Sequence, residues 1–168
     1  MELELFNTAP DDDVRRALLA CCDVPRWADT VLAGRPYADA GAVVRTADRA
    51  GLFTPDEVDR ALAAHPRIGE RAEGDSTEAA WSRREQSGVS IDPGSARALA
   101  EGNRAYEERF GRVFLICATG LSAAEVLANL RGRLGNDLAT EAAVVANELR
   151  RIALLRLEKV LTTDEVTA

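Results

Sequence analysis

Apolar positions recur every three to four residues along most of this chain, the spacing of amphipathic helices rather than of strands. Val14, Ala17, Leu18, Cys21 and Cys22 keep the i, i+3, i+4, i+7, i+8 pattern, and Pro25 stops that helix. Trp27 and Val31 carry a short second helix, closed by Gly34-Arg35-Pro36. Val43, Val44, Ala47 and Ala50 carry a third, with Gly51 as its stop. Thr54-Pro55-Asp56-Glu57 is a start signal: an N-cap threonine, proline at the first helical position and a capping-box glutamate. That helix presents Val58 and Leu62 on one face and ends at His65, because the following proline disfavours helical backbone.

Further on, Gly69 to Gly74 reads as a polar loop, and Asp75 to Glu78 caps a helix through Trp81 to Gln86 that Gly88 ends. Asp92-Pro93 opens a longer helix with Leu99, Asn103, Tyr106 and Phe110 on one stripe, ended by Gly111. Ser122-Ala123-Ala124-Glu125 is a second capping box, leading to Val126, Leu127, Leu130 and Leu134. The last helix runs from about Asp137 to Leu161, with Leu138, Ala142, Val145, Leu149 and Ile152 as its stripe. Only Val113-Phe114-Leu115-Ile116-Cys117 resembles a strand, and one strand has no ladder partner. It is expected to be a buried extended or 3₁₀ connector. The pattern predicts an all-α, single compact domain over residues 1–168, with about eight or nine helices and one short extended connector.

At 168 residues and 46% hydrophobic content, the chain can bury one sizeable core. A net charge of −7 argues against nucleic acid as a partner, since a polyanion needs clustered Lys and Arg on one face. No apolar run approaches bilayer length, and Met1-Glu2-Leu3-Glu4 lacks the features of a secretion signal, so a soluble, cytoplasmic protein with no membrane contact is expected. Cys21, Cys22 and Cys117 make a disulfide framework improbable and read as small buried hydrophobes in a reducing compartment. One histidine and no C-x-x-C spacing supply no usual zinc shell, so no metal is expected.

That single histidine, in His65-Pro66-Arg67-Ile68-Gly69, is the natural proton shuttle near neutral pH. Read alone, a histidine near a helix C-terminus is more often just a favourable charge on the helix dipole. Ser82-Arg83-Arg84-Glu85-Gln86 follows, and helical spacing sets Ser82, Glu85 and Gln86 on one face, able to grip a polar, nitrogen-rich heterocycle or simply to face solvent. Arg156 continues the stripe Val145, Leu149, Ile152, so a cation interrupts a core-facing seam. It is there either for a substrate carboxylate or for an internal salt bridge. Phosphate loops, G-x-S-x-G elbows and H-E-x-x-H sites are absent from the sequence.

In their order and spacing these pieces resemble the 2-oxo-4-hydroxy-4-carboxy-5-ureidoimidazoline (OHCU) decarboxylases of urate breakdown. The match runs from Leu18 to Cys22 with Trp27, through Arg35-Pro36, His65 to Gly69 and Ser82-x-x-Glu85-Gln86. It continues through Asn103-x-x-Tyr106 and Phe110-Gly111-x-x-Phe114-Leu115-Ile116-Cys117-Ala118 to Ile152-Ala153-Leu154-Leu155-Arg156-Leu157. One departure is Arg112-Val113, where many members carry an aromatic or apolar residue followed by proline. The resemblance implies an all-helical, homodimeric, cofactor-independent enzyme that yields (S)-allantoin and carbon dioxide. It implies His65 as catalytic acid/base with Glu85 beside it. Pro66, Ser82, Gln86, the connector residues Phe114, Leu115, Ile116, Cys117 and Ala118, and Arg156 would bind substrate. The rival expectations are a non-catalytic helical interaction domain and another purine-ureide lyase or hydrolase on the same scaffold.

Overall fold

The computed structural model describes residues 1–63, 65, 67, 68, 81 and 93–162. Among them are eight α-helices and no strand: α1 (Leu3–Thr8), α2 (Asp11–Cys21), α3 (Pro25–Ala33), α4 (Ala40–Ala50), α5 (Pro55–Ala63), α6 (Pro93–Phe110), α7 (Ala123–Arg133) and α8 (Leu138–Thr162). The expected helix from Asp75 to Gln86 lies outside the described residues except for Trp81, which is helical and half-buried. Two compact units divide the chain: Met1–Ala61 with the stretch from Leu149 onward, and Leu62–Glu148.

In the first unit α3 packs against α2 and α4. Pro25 both follows α2 and opens α3, where a missing N–H costs nothing. Trp27 is fully buried, and its indole N–H donates to Ala47 O at 2.9 Å, tying α3 to α4. Asp39 caps α4 by accepting the Ala42 N–H at 2.7 Å. Gly51 does end α4, but at φ −75° it is not left-handed. Space there is tight: a Cβ would lie 3.0 Å from Arg150 Cγ and 3.3 Å from Ala47 O, so its neighbours would have to yield by a few tenths of an ångström. Helix α1 has no counterpart in the periodicity analysis. Its Phe6 is fully buried, and Arg35 donates to Phe6 O at 2.6 Å and Ala9 O at 3.0 Å, closing carbonyls that a six-residue helix leaves open.

In the second unit α6 packs on α7, closely enough that a Cβ on Gly102 would fall 2.6 Å from Leu130 Cδ2. That contact explains a glycine in the middle of an 18-residue helix, where it is intrinsically costly. Leu99 and Tyr106 on α6, and Val126 and Leu130 on α7, form one buried cluster with Ile68, Phe114, Ile116 and Ala118. Gly111 ends α6 in the left-handed region at φ 67°. The Ser122–Glu125 capping box that opens α7 is complete.

Helix α8 corrects one expectation. Leu138 and Ala142, placed on its buried stripe, are exposed, and the seam starts at Glu141 instead. A glutamate displaces the apolar residues because it has partners in the interior, described below. Among the described residues no helix is long and apolar enough to cross a membrane.

Candidate active site

Thr54 and Glu57 open α5 as expected: the Thr54 N–H donates to the Glu57 carboxylate at 2.8 Å and the Glu57 N–H to Thr54 Oγ1 at 3.3 Å. Arg26 clasps the same carboxylate at 2.7 and 2.9 Å and holds it below the usual carboxylate range. Just past the end of α5 the His65 N–H donates back to Leu62 O at 3.0 Å. The residue is half-buried, with its Nε2 out of solvent contact.

Helix α6 holds the backbone and side chains that follow His65. Asn103 and Glu107, one turn apart, face the same segment. Asn103 Nδ2 donates to Ile68 O at 3.0 Å, while its buried Oδ1 accepts no hydrogen bond from the described residues. Arg67 donates through Nε and Nη2 to the two Glu107 oxygens, the latter at 2.8 Å. The guanidinium keeps the Glu107 carboxyl below its ordinary range. Ile68 in turn joins the cluster that contains Phe114, Ile116 and Ala118, so the histidine segment and the connector share one core.

The connector adopts neither helix nor strand and is buried from Phe114 to Ala118, as the sequence led one to expect. With no ladder, its backbone is held by side chains. Arg133, at the end of α7, donates to Leu115 O at 2.7 Å; Glu148, on α8, accepts the Cys117 N–H at 2.7 Å. Arg133 also donates to Glu141 at 2.8 and 2.6 Å, and Glu141 accepts from the Tyr106 hydroxyl and from Asn136 Nδ2 at 2.7 Å. The guanidinium lies 4.7 Å above the Phe114 ring, which meets Tyr106 edge-on at 5.2 Å. Burial and the Glu141 carboxylate push the Tyr106 hydroxyl well above the usual phenol range, so it stays a donor.

Of the residues singled out in the sequence, His65 and Phe114 to Ala118 fall in the second unit and Arg156 in the first. Arg156 is 2% exposed, as its place on the seam of α8 suggested. Burial pushes the Cys22 thiol in the same unit up to about 12, and the Arg156 charge opposes that rise. Pro66, Ser82, Glu85 and Gln86 lie outside the described residues. The three cysteines are buried and none is in a disulfide. Among the described residues no group of His, Cys, Asp or Glu is arranged to hold a metal ion.

A model of the OHCU decarboxylase family matches residues 7–158. The chain belongs to that family. The 2-oxo-4-hydroxy-4-carboxy-5-ureidoimidazoline decarboxylase of Amia calva is 30% identical over 144 residues, 82% of this chain and 81% of that protein. The uric acid degradation bifunctional protein TTL of Arabidopsis thaliana is 34% identical over 107 residues, 61% of this chain but 33% of that protein. A crystal structure of OHCU decarboxylase in the presence of (S)-allantoin matches with a TM-score of 0.74 at 26% identity, over 88% of this chain and 99% of that one. One of (S)-allantoin synthase matches at 0.71 over 98% of this chain and 56% of that one, and at 17% identity it speaks for the fold alone. Membership makes the chain a lyase, a decarboxylase of urate degradation.

Sequence reasoning on the OHCU decarboxylase chain passed over Arg133, Glu141 and Glu148. A signal was present: Glu141 and Glu148 stand seven residues apart, on the seam that Val145 and Ile152 share. Seven residues are two helical turns, so carboxylates there interrupt an apolar face and call for partners.

Proposed function

We propose that this chain converts OHCU to (S)-allantoin and carbon dioxide, with His65 as the group that moves a proton at the reacting ring. The observation that carries the reading is the family match over residues 7–158, whose span takes in the chain's one histidine within the His65 to Gly69 motif. The carbon–carboxylate bond breaks, carbon dioxide leaves, and the electron pair stays on the ring carbon. The neighbouring ring imine or carbonyl delocalises that pair, so the electron sink is part of the substrate. The protein has to orient the ring, set donors where charge develops and deliver a proton to one face. Glu85 holds the tautomer and the charged form of His65. Pro66, Ser82, Gln86, the Phe114 to Ala118 connector and Arg156 bind the substrate, Arg156 by the forked donors a guanidinium offers to oxygen pairs. The Cys117 N–H is already committed to Glu148, so any connector N–H that meets the heterocycle is another one. A homodimer in the cytoplasm belongs to the same proposal, and the burial of all three cysteines as small apolar side chains is in keeping with it.

The test is circular dichroism on OHCU generated freshly from urate with uricase and hydroxyisourate hydrolase. Wild type should build the (S)-allantoin signal far faster than spontaneous decay. His65→Gln, folded as judged by its helical spectrum, should lose about a hundredfold to ten-thousandfold in rate, the range of a general acid/base group. A fully active mutant removes His65 from the mechanism. OHCU loss at the spontaneous rate with no growth of the (S)-allantoin signal favours a non-catalytic helical domain, and release of urea or ammonia favours ureide hydrolysis.

A further inference from the structure

We propose that Glu148 is a positioning residue for the substrate site: its carboxylate sets the backbone of the Phe114 to Ala118 connector by holding the Cys117 N–H. The inference rests on the reading that this connector lines the site, and it assigns a role to a residue outside the binding set. The contact is short, 2.7 Å, and both residues are more than nine-tenths buried. Two residues earlier Leu115 O is held at 2.7 Å by Arg133, itself 7% exposed. Donor and acceptor of the same irregular stretch are thus gripped by ionic side chains from two different helices.

Such a grip is an expensive way to make a core. A buried carboxylate loses its hydration, and an apolar side chain of similar volume commonly serves stability as well or better. A charge-assisted hydrogen bond does offer tighter geometry than packing, because it is short and directional. Geometry is what a stretch without a ladder lacks. Among the described residues no strand pairs with it; a turn holds Ala118 O through the Leu121 N–H at 3.0 Å, and Glu148 and Arg133 fix the Cys117 N–H and Leu115 O further back. A substrate held by this backbone depends on where its amides and carbonyls point, because a misaligned hydrogen bond weakens steeply and its loss lowers binding of ground state and transition state alike.

Steady-state kinetics on the full chain with freshly generated OHCU, read as KM and kcat per folded enzyme, tests this, with Tm measured alongside. Glu148→Met removes the acceptor and should raise KM about tenfold or more, with a smaller fall in kcat. Glu148→Gln keeps an oxygen facing the Cys117 N–H and should restore KM to within about threefold of wild type. Should Glu148→Met fail to fold, Glu148→Asp withdraws the carboxylate by one methylene and should raise KM above that of Glu148→Gln. A lowered Tm with wild-type KM in the surviving enzyme overturns the proposal, as does an equal rise in KM for Gln and for Met or Asp. Absence of wild-type turnover above spontaneous decay overturns the reaction reading itself, and the positioning role with it.

Discussion

Two arginine–carboxylate pairs sit in the same unit and do opposite work. Arg67 and Glu107 meet near the surface, with side chains 46% and 26% exposed. Arg133 and Glu141 meet in the interior, at 9% and 2%. Water solvates the first pair whether or not it forms, so the bond adds little free energy and serves chiefly to hold the segment after His65 against α6. The second pair has surrendered its hydration and cannot recover it in place. It is neutralised on every side: by each other, by the Tyr106 hydroxyl, by Asn136 and by Leu115 O. Identical chemistry is thus a clasp in one setting and a structural commitment in the other, and solvent exposure decides which.

Breaking the buried pair from one side should have the largest effect on stability. Glu141→Ala leaves Arg133 uncompensated and is expected to cost about 3–5 kcal/mol, lowering Tm by roughly 6–20 °C in thermal unfolding. A loss no larger than that of an exposed pair would erase the distinction drawn here. Removing both charges sharpens it. Arg133→Met with Glu141→Leu should be much less destabilised than the sum of the two single changes, because no naked charge remains. Additive losses would mean that packing, not unpaired charge, dominates.

Breaking the exposed pair should do least. Glu107→Gln is expected to cost less than about 1 kcal/mol, or no more than about 4 °C in Tm. Its pH dependence carries a definite sign. Arg67 lowers the Glu107 pKa in the folded state, so the stabilisation is complete above the ordinary carboxylate pKa of about 4.3 and is lost as pH falls through the lowered value. The Tm gap between wild type and Glu107→Gln should therefore be full at neutral pH and close in acid below about pH 4. A gap unchanged between neutral and strongly acidic solution would show that the carboxylate charge contributes nothing.

Much of the architecture was legible before any fold was seen. Thr54 with Glu57 and Ser122 with Glu125 form the capping boxes their spacing implied, and Gly111 ends α6 where expected. The connector was recognisable because an apolar, partly β-branched run stood alone among helical periods. Helix α1 was not legible. Its six residues are far below the length at which a helix is stable by itself, and Arg35, some thirty residues away, supplies the missing partners. The candidate site divides likewise. His65 and Arg156 stood out as a lone histidine and a cation on an apolar seam. Arg133, Glu141 and Glu148 did not stand out, although the two glutamates share the seam of Val145 and Ile152; their partners lie on other elements and no local rule points to them.

Local sequence rules thus settled every described helix but α1, two capping boxes and the class of fold, because capping and periodic burial act within about one or two turns of chain. The resemblance of short motifs in order was enough to reach the OHCU decarboxylase family. Which charges go inside was decided only in three dimensions. Glu141 displaces Leu138 and Ala142 from the buried seam because Arg133 and Tyr106 wait for it, and Glu148 turns inward, where it accepts the Cys117 N–H. A buried charge is tolerable only with its partners already in place, and those partners lie as many as 35 residues distant along the chain.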